Sequence, residues 1–125
     1  WQRAGFSTAI ISGRSSKATD IRAEQLGIKY VFQGHKKKLP VYEQLLEQTG
    51  LKPFETIYIG DELMDLPLVR RAGLGIAVAN SVVELKDYAD YVTKNTGGDG
   101  AIREVIELVL KKVGKWEVLM ERYLV

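Results

Sequence analysis

The 125-residue chain contains no cysteine and a single histidine, His35. Without cysteine there is no disulfide, no thiolate nucleophile and no sulfur-ligated zinc, and one histidine does not make a histidine-rich metal site. Any metal bound here is held mainly by oxygen. Long apolar runs are also missing: nothing approaches the roughly 20 residues that cross a bilayer. The amino end, Trp1-Gln2-Arg3-Ala4-Gly5, has neither a basic segment nor a long apolar one. These absences predict a soluble, untargeted, cytoplasmic protein with no membrane partner. Charge is nearly balanced, 18 basic against 16 acidic residues for a net +2, so there is no basic face for nucleic acid. What is present, 46% hydrophobic and 27% charged residues, is the composition of one ordinary globular domain spanning 1–125. Trp1 stands where an initiator Met is expected and reads as the end of a helix, so the natural start is expected to lie upstream.

Short apolar runs alternate with amphipathic stretches, with no repeat or low-complexity linker between them. Phe6 to Ile11, Lys29 to Phe32, Thr56 to Ile59 and Gly75 to Ala79 are rich in β-branched and aromatic residues. Neither face of these runs alternates cleanly with polar residues, which predicts buried parallel strands. Asp90 to Thr93 is a shorter fifth strand. Helices are expected over Ser16 to Leu26, Pro40 to Thr49, Leu63 to Ala72, Val82 to Tyr88 and Gly100 to Val113. Gly27, Gly50 and Gly73 follow the first three as left-handed caps. The alternation defines an α/β fold, a three-layer doubly wound parallel sheet. Chemistry in such sheets sits beyond the carboxyl ends of the strands.

Three strand ends carry it. Ser12-Gly13-Arg14-Ser15 follows the first strand and opens a helix, so a hydroxyl, an unobstructed glycine N–H and a helix amino terminus converge in a pattern that suits phosphate. Helix capping by Ser12 or Ser15 is the structural alternative. His35-Lys36-Lys37-Lys38 follows the second strand; a lysine here would neutralise a phosphoryl group, whereas a basic run is also common on solvated surface, and His35 reads as an exposed loop residue. Gly60-Asp61-Glu62-Leu63-Met64-Asp65 follows the third. Asp65 lies one helical turn beyond Asp61 and so on the same side. Three acids near one point repel unless a cation is present, and oxygen ligation at a strand end suits Mg²⁺. The alternative is capping by Asp61 or Glu62 with Asp65 solvated.

Taken in order, SGR, a lysine and GDxxxD resemble motifs two, three and four of the haloacid dehalogenase-like phosphohydrolases. GHKKKLPVYEQLL, YIGDELMDLPLVRRAGLGIAVANS and TKNTGGDGAIREVIELVL resemble, over nearly the whole chain, the capless members that dephosphorylate 3-deoxy-D-manno-octulosonate 8-phosphate. The resemblance implies a Mg²⁺-dependent phosphomonoesterase serving lipopolysaccharide biosynthesis, with a sugar phosphate as substrate and a homotetramer as the assembly. It implies that Ser12 and Gly13 bind phosphate, that Lys38 rather than Lys36 or Lys37 is the phosphate-binding lysine, and that Arg14 reaches the substrate carboxylate. It makes Asp61 the Mg²⁺ ligand, while Glu62 and Asp65 hold the metal's waters or the neighbouring loop. The related nonulosonate 9-phosphate phosphatases, and non-catalytic oligomerisation domains of the same fold, are the alternatives.

Two residues depart from the family pattern: Glu62 stands where aspartate is commoner, and Asp99 where the subgroup usually has arginine. The DxD motif that supplies the family's nucleophile and its general acid-base does not occur in this chain. The fold is therefore expected to lack its first, central strand, between the strand ending at Ile11 and the one ending at Ile59. At the other end, residues 115–125 form a tail in which Trp116, Leu119, Met120 and Tyr123 make an apolar stripe, expected to dock on a neighbouring subunit, with packing within its own subunit as the alternative.

Overall fold

The computed structural model describes residues 7–13, 15–35, 37–97 and 100–112. Phe6, Arg14, Lys36, Asp99 and the tail with its apolar stripe lie outside the described residues. The elements run β1 (Ala9–Ile11), α1 (Lys17–Leu26), β2 (Tyr30–Phe32), α2 (Lys38–Thr49), β3 (Ile57–Gly60), α3 (Leu66–Arg71), β4 (Leu74–Ala77), α4 (Val83–Tyr88), β5 (Tyr91–Val92) and α5 (Ala101–Lys112). Single 3-10 turns, Pro53–Glu55 and Leu63–Asp65, precede β3 and α3. Every strand pairing among the described residues is parallel, as expected of strands joined through helices.

The strands fall into two sheets. β1 pairs with β2, with Ile10 opposite Val31. β3, β4 and β5 form the second sheet in that order, with Ile59 opposite Ile76 and Ala77 opposite Val92. No ladder joins β1 to β3 among the described residues. The core follows from this division. Val69, Ala77 and Leu85 make a buried cluster between α3, β4 and α4, with Tyr58, Leu66 and Ala89 packed against it. Ala101, Val105 and Leu110 bury one face of α5. The expectation of uniformly buried strands holds for β4 alone, where Gly75, Ile76 and Ala77 are buried; β1 and β2 have no buried residue. A strand flanked on both sides loses its exposure, and β1 is flanked on one.

Several boundaries move for identifiable reasons. The expected helix over Leu63 to Ala72 is broken into a 3-10 turn and α3. Pro67 has no N–H, and its ring would strike the Leu63 carbonyl in a continuous helix, so the α-helix starts immediately before it. Helix α2 begins two residues earlier than expected, at Lys38; Pro40 sits within the first turn, where no N–H partner is needed. The α1 cap is Ser16, whose hydroxyl accepts from the Thr19 N–H, so neither Ser12 nor Ser15 caps that helix. Gly27 and Gly50 are left-handed caps as expected. Gly73 has no positive φ; its Cα packs against the Phe54 backbone and its N–H donates to the Pro53 carbonyl at 2.8 Å. That glycine is required by space.

Candidate active site

Ser12, Gly13, Lys38, Asp61, Glu62 and Asp65 all line one cavity of about 640 Å³, together with Ile11, Tyr58, Ile59 and Met64. The cavity lies at the carboxyl ends of β1 and β3, bounded by a loop from each sheet and by the first turn of α2. Ser12 is fixed through its backbone: its N–H donates to the Phe32 carbonyl at 2.8 Å, and its carbonyl accepts from the His35 N–H at 3.1 Å. The loops after β1 and β2 are therefore joined through their backbones. His35 is exposed, its ring edge-on to Phe32.

Asp65 organises the opposite wall. It is 1% exposed, and its two oxygens divide the work. Oδ1 accepts from Lys38 Nζ at 2.7 Å and from the Tyr58 hydroxyl at 2.6 Å. Oδ2 accepts from the backbone N–H groups of Asp61 and Glu62, at 3.0 and 3.1 Å. Burial raises the Asp65 pKa, but the bonds from Lys38, Tyr58 and the two amides outweigh it and leave the pKa below its ordinary value. Asp65 is thus not solvated; it holds the loop that presents Asp61 and Glu62. Gly60 makes room for it, because a Cβ there would sit 2.5 Å from the Asp65 Cβ.

Lys38 is 8% exposed, a depth that a lysine tolerates only when paired. One N–H of its ammonium is spent on Asp65, and it lines the cavity. Lys37, by contrast, is an exposed residue at the helix start. The pKa of Asp61 is raised, first by partial desolvation at the cavity wall and then by the neighbouring charges of Asp65 and Glu62, with Lys38 opposing. A carboxylate surrounded by like charge favours a cation beside it.

Tyr58 was not anticipated. Burial and then its bond to Asp65 hold its hydroxyl protonated well above the ordinary tyrosine range. Strand alternation carried the signal: Tyr58 lies two residues before Gly60, and therefore on the face that Asp65 folds over.

No group of three or more His, Asp or Glu side chains among the described residues is arranged to hold a metal. The donor set nevertheless fits Mg²⁺, which commonly takes one or two carboxylates and fills its remaining positions with waters and phosphate oxygens. Asp61 and Glu62 are the exposed carboxylates that line the cavity.

The chain belongs to the haloacid dehalogenase-like hydrolases, whose family description matches residues 28–106. Within that family it is similar to 3-deoxy-D-manno-octulosonate 8-phosphate phosphatases. It is 43% identical over 107 residues to the 3-deoxy-D-manno-octulosonate 8-phosphate phosphatase of Escherichia coli, covering 86% of this chain and 57% of that enzyme. The chain thus spans little more than half the length of the curated relatives it matches. It superimposes on the corresponding Moraxella catarrhalis phosphatase, solved with magnesium, phosphate and the sugar acid, with a TM-score of 0.95, 41% identity, and 98% and 70% of the two chains covered. The cobalt-bound Haemophilus influenzae phosphatase gives a TM-score of 0.88 at 36% identity, covering 91% and 67%.

Proposed function

We propose that the protein containing these residues is a Mg²⁺-dependent phosphomonoesterase that hydrolyses 3-deoxy-D-manno-octulosonate 8-phosphate to the free sugar acid and phosphate. The observation that carries this reading is the convergence of Ser12, Gly13, Lys38 and Asp61 on one cavity at two parallel strand ends, in a chain 41% identical to a phosphatase crystallised with magnesium, phosphate and the sugar acid. In this reading the Ser12 hydroxyl and the Gly13 N–H bind phosphoryl oxygens, and the Lys38 ammonium offsets their charge with the N–H groups that Asp65 leaves over. Asp61 holds the metal, while Glu62 and Asp65 support that loop. Arg14 reaches the substrate carboxylate. When bound, the cation supplies Lewis-acid stabilisation of the charge that builds on the phosphoryl group. Lys38 and the backbone donors are fixed before the reaction and add to that stabilisation without reorganising.

The attacking carboxylate is not among these residues. We place it on a further strand between β1 and β3, where the ladder is interrupted and the cavity opens. The protein is further proposed to act in the cytoplasm as a homotetramer, with the tail over 115–125 lying against a neighbouring subunit.

Phosphate release by the full-length protein tests the reading. Turnover of the octulosonate phosphate that requires Mg²⁺ and falls sharply in Asp61→Asn supports it. Preference for a nonulosonate 9-phosphate would move the substrate assignment. Absence of turnover on any phosphate ester would favour a non-catalytic domain.

A further inference from the structure

Residues 93–97, between β5 and α5, play no part in the chemistry above, yet they take part in a connected set of side-chain hydrogen bonds. At its centre is Glu104, in the first turn of α5. One oxygen accepts from the Asn95 N–H at 2.9 Å, the Asn95 side-chain amide at 2.8 Å and the Lys94 N–H at 2.9 Å. The other accepts from the Tyr91 hydroxyl and, at 3.0 Å, from the Lys94 N–H. A carboxylate offers about four lone-pair sites, and these donors use them. Helix α5 is itself anchored by Ala101, Val105 and Leu110, all buried. Glu104 therefore ties the loop to a fixed element.

The loop passes this constraint on. The Asn95 carbonyl accepts from the Thr93 hydroxyl at 2.6 Å, and the same hydroxyl accepts from the Ala79 N–H at 3.0 Å. Beyond them, the Gly97 N–H donates to the Asn80 side-chain oxygen at 2.9 Å. The 78–82 turn held in this way touches the candidate site through its backbone. The Val78 N–H donates to the Gly60 carbonyl at 3.2 Å, and the Val82 N–H to the Asp61 carbonyl at 3.4 Å. Asp61 is thus gripped from both sides, its N–H by Asp65 and its carbonyl by the 78–82 turn.

We propose that Glu104 is a positioning residue for Asp61: it locks residues 94–97, these fix the 78–82 turn, and the turn sets where the Asp61 backbone presents its carboxylate to the cation. The inference rests on the phosphatase reading only in placing Mg²⁺ at Asp61; the mechanical linkage is independent of it.

The test uses the full-length protein, with Glu104→Ala compared against Tyr91→Phe. The second variant removes one donor to the same carboxylate and leaves the loop contacts in place. Amide hydrogen exchange over residues 78–82 reads the linkage, and calorimetric titration with Mg²⁺ alone, without substrate, reads its consequence. In Glu104→Ala the 78–82 amides should exchange faster while those of β4 stay protected, and Mg²⁺ should bind about tenfold more weakly, the usual scale for losing support behind a metal ligand. Tyr91→Phe should lower the melting temperature with Mg²⁺ affinity unchanged. If Glu104→Ala folds poorly, Glu104→Gln, which keeps one acceptor oxygen, should give a smaller shift in the same direction. Unchanged exchange at 78–82, or faster exchange with wild-type Mg²⁺ affinity, overturns the proposal. If the wild type binds no Mg²⁺, the metal assignment of Asp61 fails, and with it this role for Glu104, whichever way the exchange data fall.

Discussion

The two sheets are built to different standards. In the three-stranded sheet, Ile76 and Ala77 are fully buried and α3 lies so close that Gly75 has no room for a side chain beside the Val69 backbone. In the two-stranded sheet, β1 and β2 are half-exposed, and α1 buries only Ala23. Helix α2 follows β2 in sequence but is fastened to the other half, through Lys38 to Asp65, Tyr42 to Thr56 and Glu43 to Arg71. Lys38 and Asp61 thus rest on the well-packed side, whereas Ser12 and Gly13 hang from the thin one. The better-packed side also carries the buried ion pair, Lys38 with Asp65.

The largest expected effect breaks this comparison outright. Residues 1–125 prepared alone should show no phosphatase activity with Mg²⁺ and should melt broadly, because among the described residues β1 pairs with β2 alone; turnover above a metal-only control, or a sharp monomeric melt, would contradict this. Next, Asp61→Asn in the full-length enzyme should lower kcat by about 10²–10³, the scale of losing one preorganised charge contact, with an unchanged circular dichroism melt. Lys38→Ala should slow the enzyme and also destabilise it by about 3–5 kcal/mol in denaturant titration, since Asp65 would keep a buried charge without its cation. Lys37→Ala should fall within about 0.5 kcal/mol of wild type.

Core truncation sharpens the contrast between the sheets. Leu68→Ala, at a fully buried α3 position, should cost about 2–5 kcal/mol. Val31→Ala on β2 should cost less, because the site is already half-exposed and leaves no closed cavity; equal losses would mean that the thin sheet is as well supported as the thick one. The smallest effect is on acid stability. The bond from Tyr91, opposed by desolvation and assisted by the Lys94 and Asn95 amides, lowers the Glu104 pKa from 4.5 to about 2. The stabilisation this gives is complete above the ordinary glutamate range and is lost as the pH falls towards the folded value. Glu104→Gln should therefore flatten the pH dependence of unfolding between about 4.5 and 2.

The thick half was the more legible one in the sequence. Gly60, Asp61 and Asp65 announced a strand end because an apolar run stops there at a glycine and acids, and the spacing of four placed both aspartates at one cavity. The resemblance offered the neighbouring loop as one role for Asp65, but its partners Lys38 and Tyr58 were not legible, since periodicity says which side a carboxylate faces and nothing about which donors saturate it. Pro67 marked a helix start that amphipathic spacing alone had overrun. On the thin side, β-branched residues in β1 and β2 gave the strands correctly but overstated their burial, because burial depends on the neighbours a strand has. Glu104 was invisible as a clamp: its partners come from β5 and the loop after it, and no local pattern links an acid in a helix to backbone amides ten residues earlier.

Gly60 and Asp65 also constrain how this chain can vary. The space above Gly60 is the volume that the Asp65 carboxylate fills, so any side chain at position 60 must first evict the acid. Shortening residue 65 would open that space but strand the Lys38 ammonium and strip two amides of their acceptor. The two positions are therefore coupled, and each single substitution passes through a state worse than either end point. A library that randomises position 60 alone should return glycine, and substitutes should emerge only when positions 38, 60 and 65 are varied together.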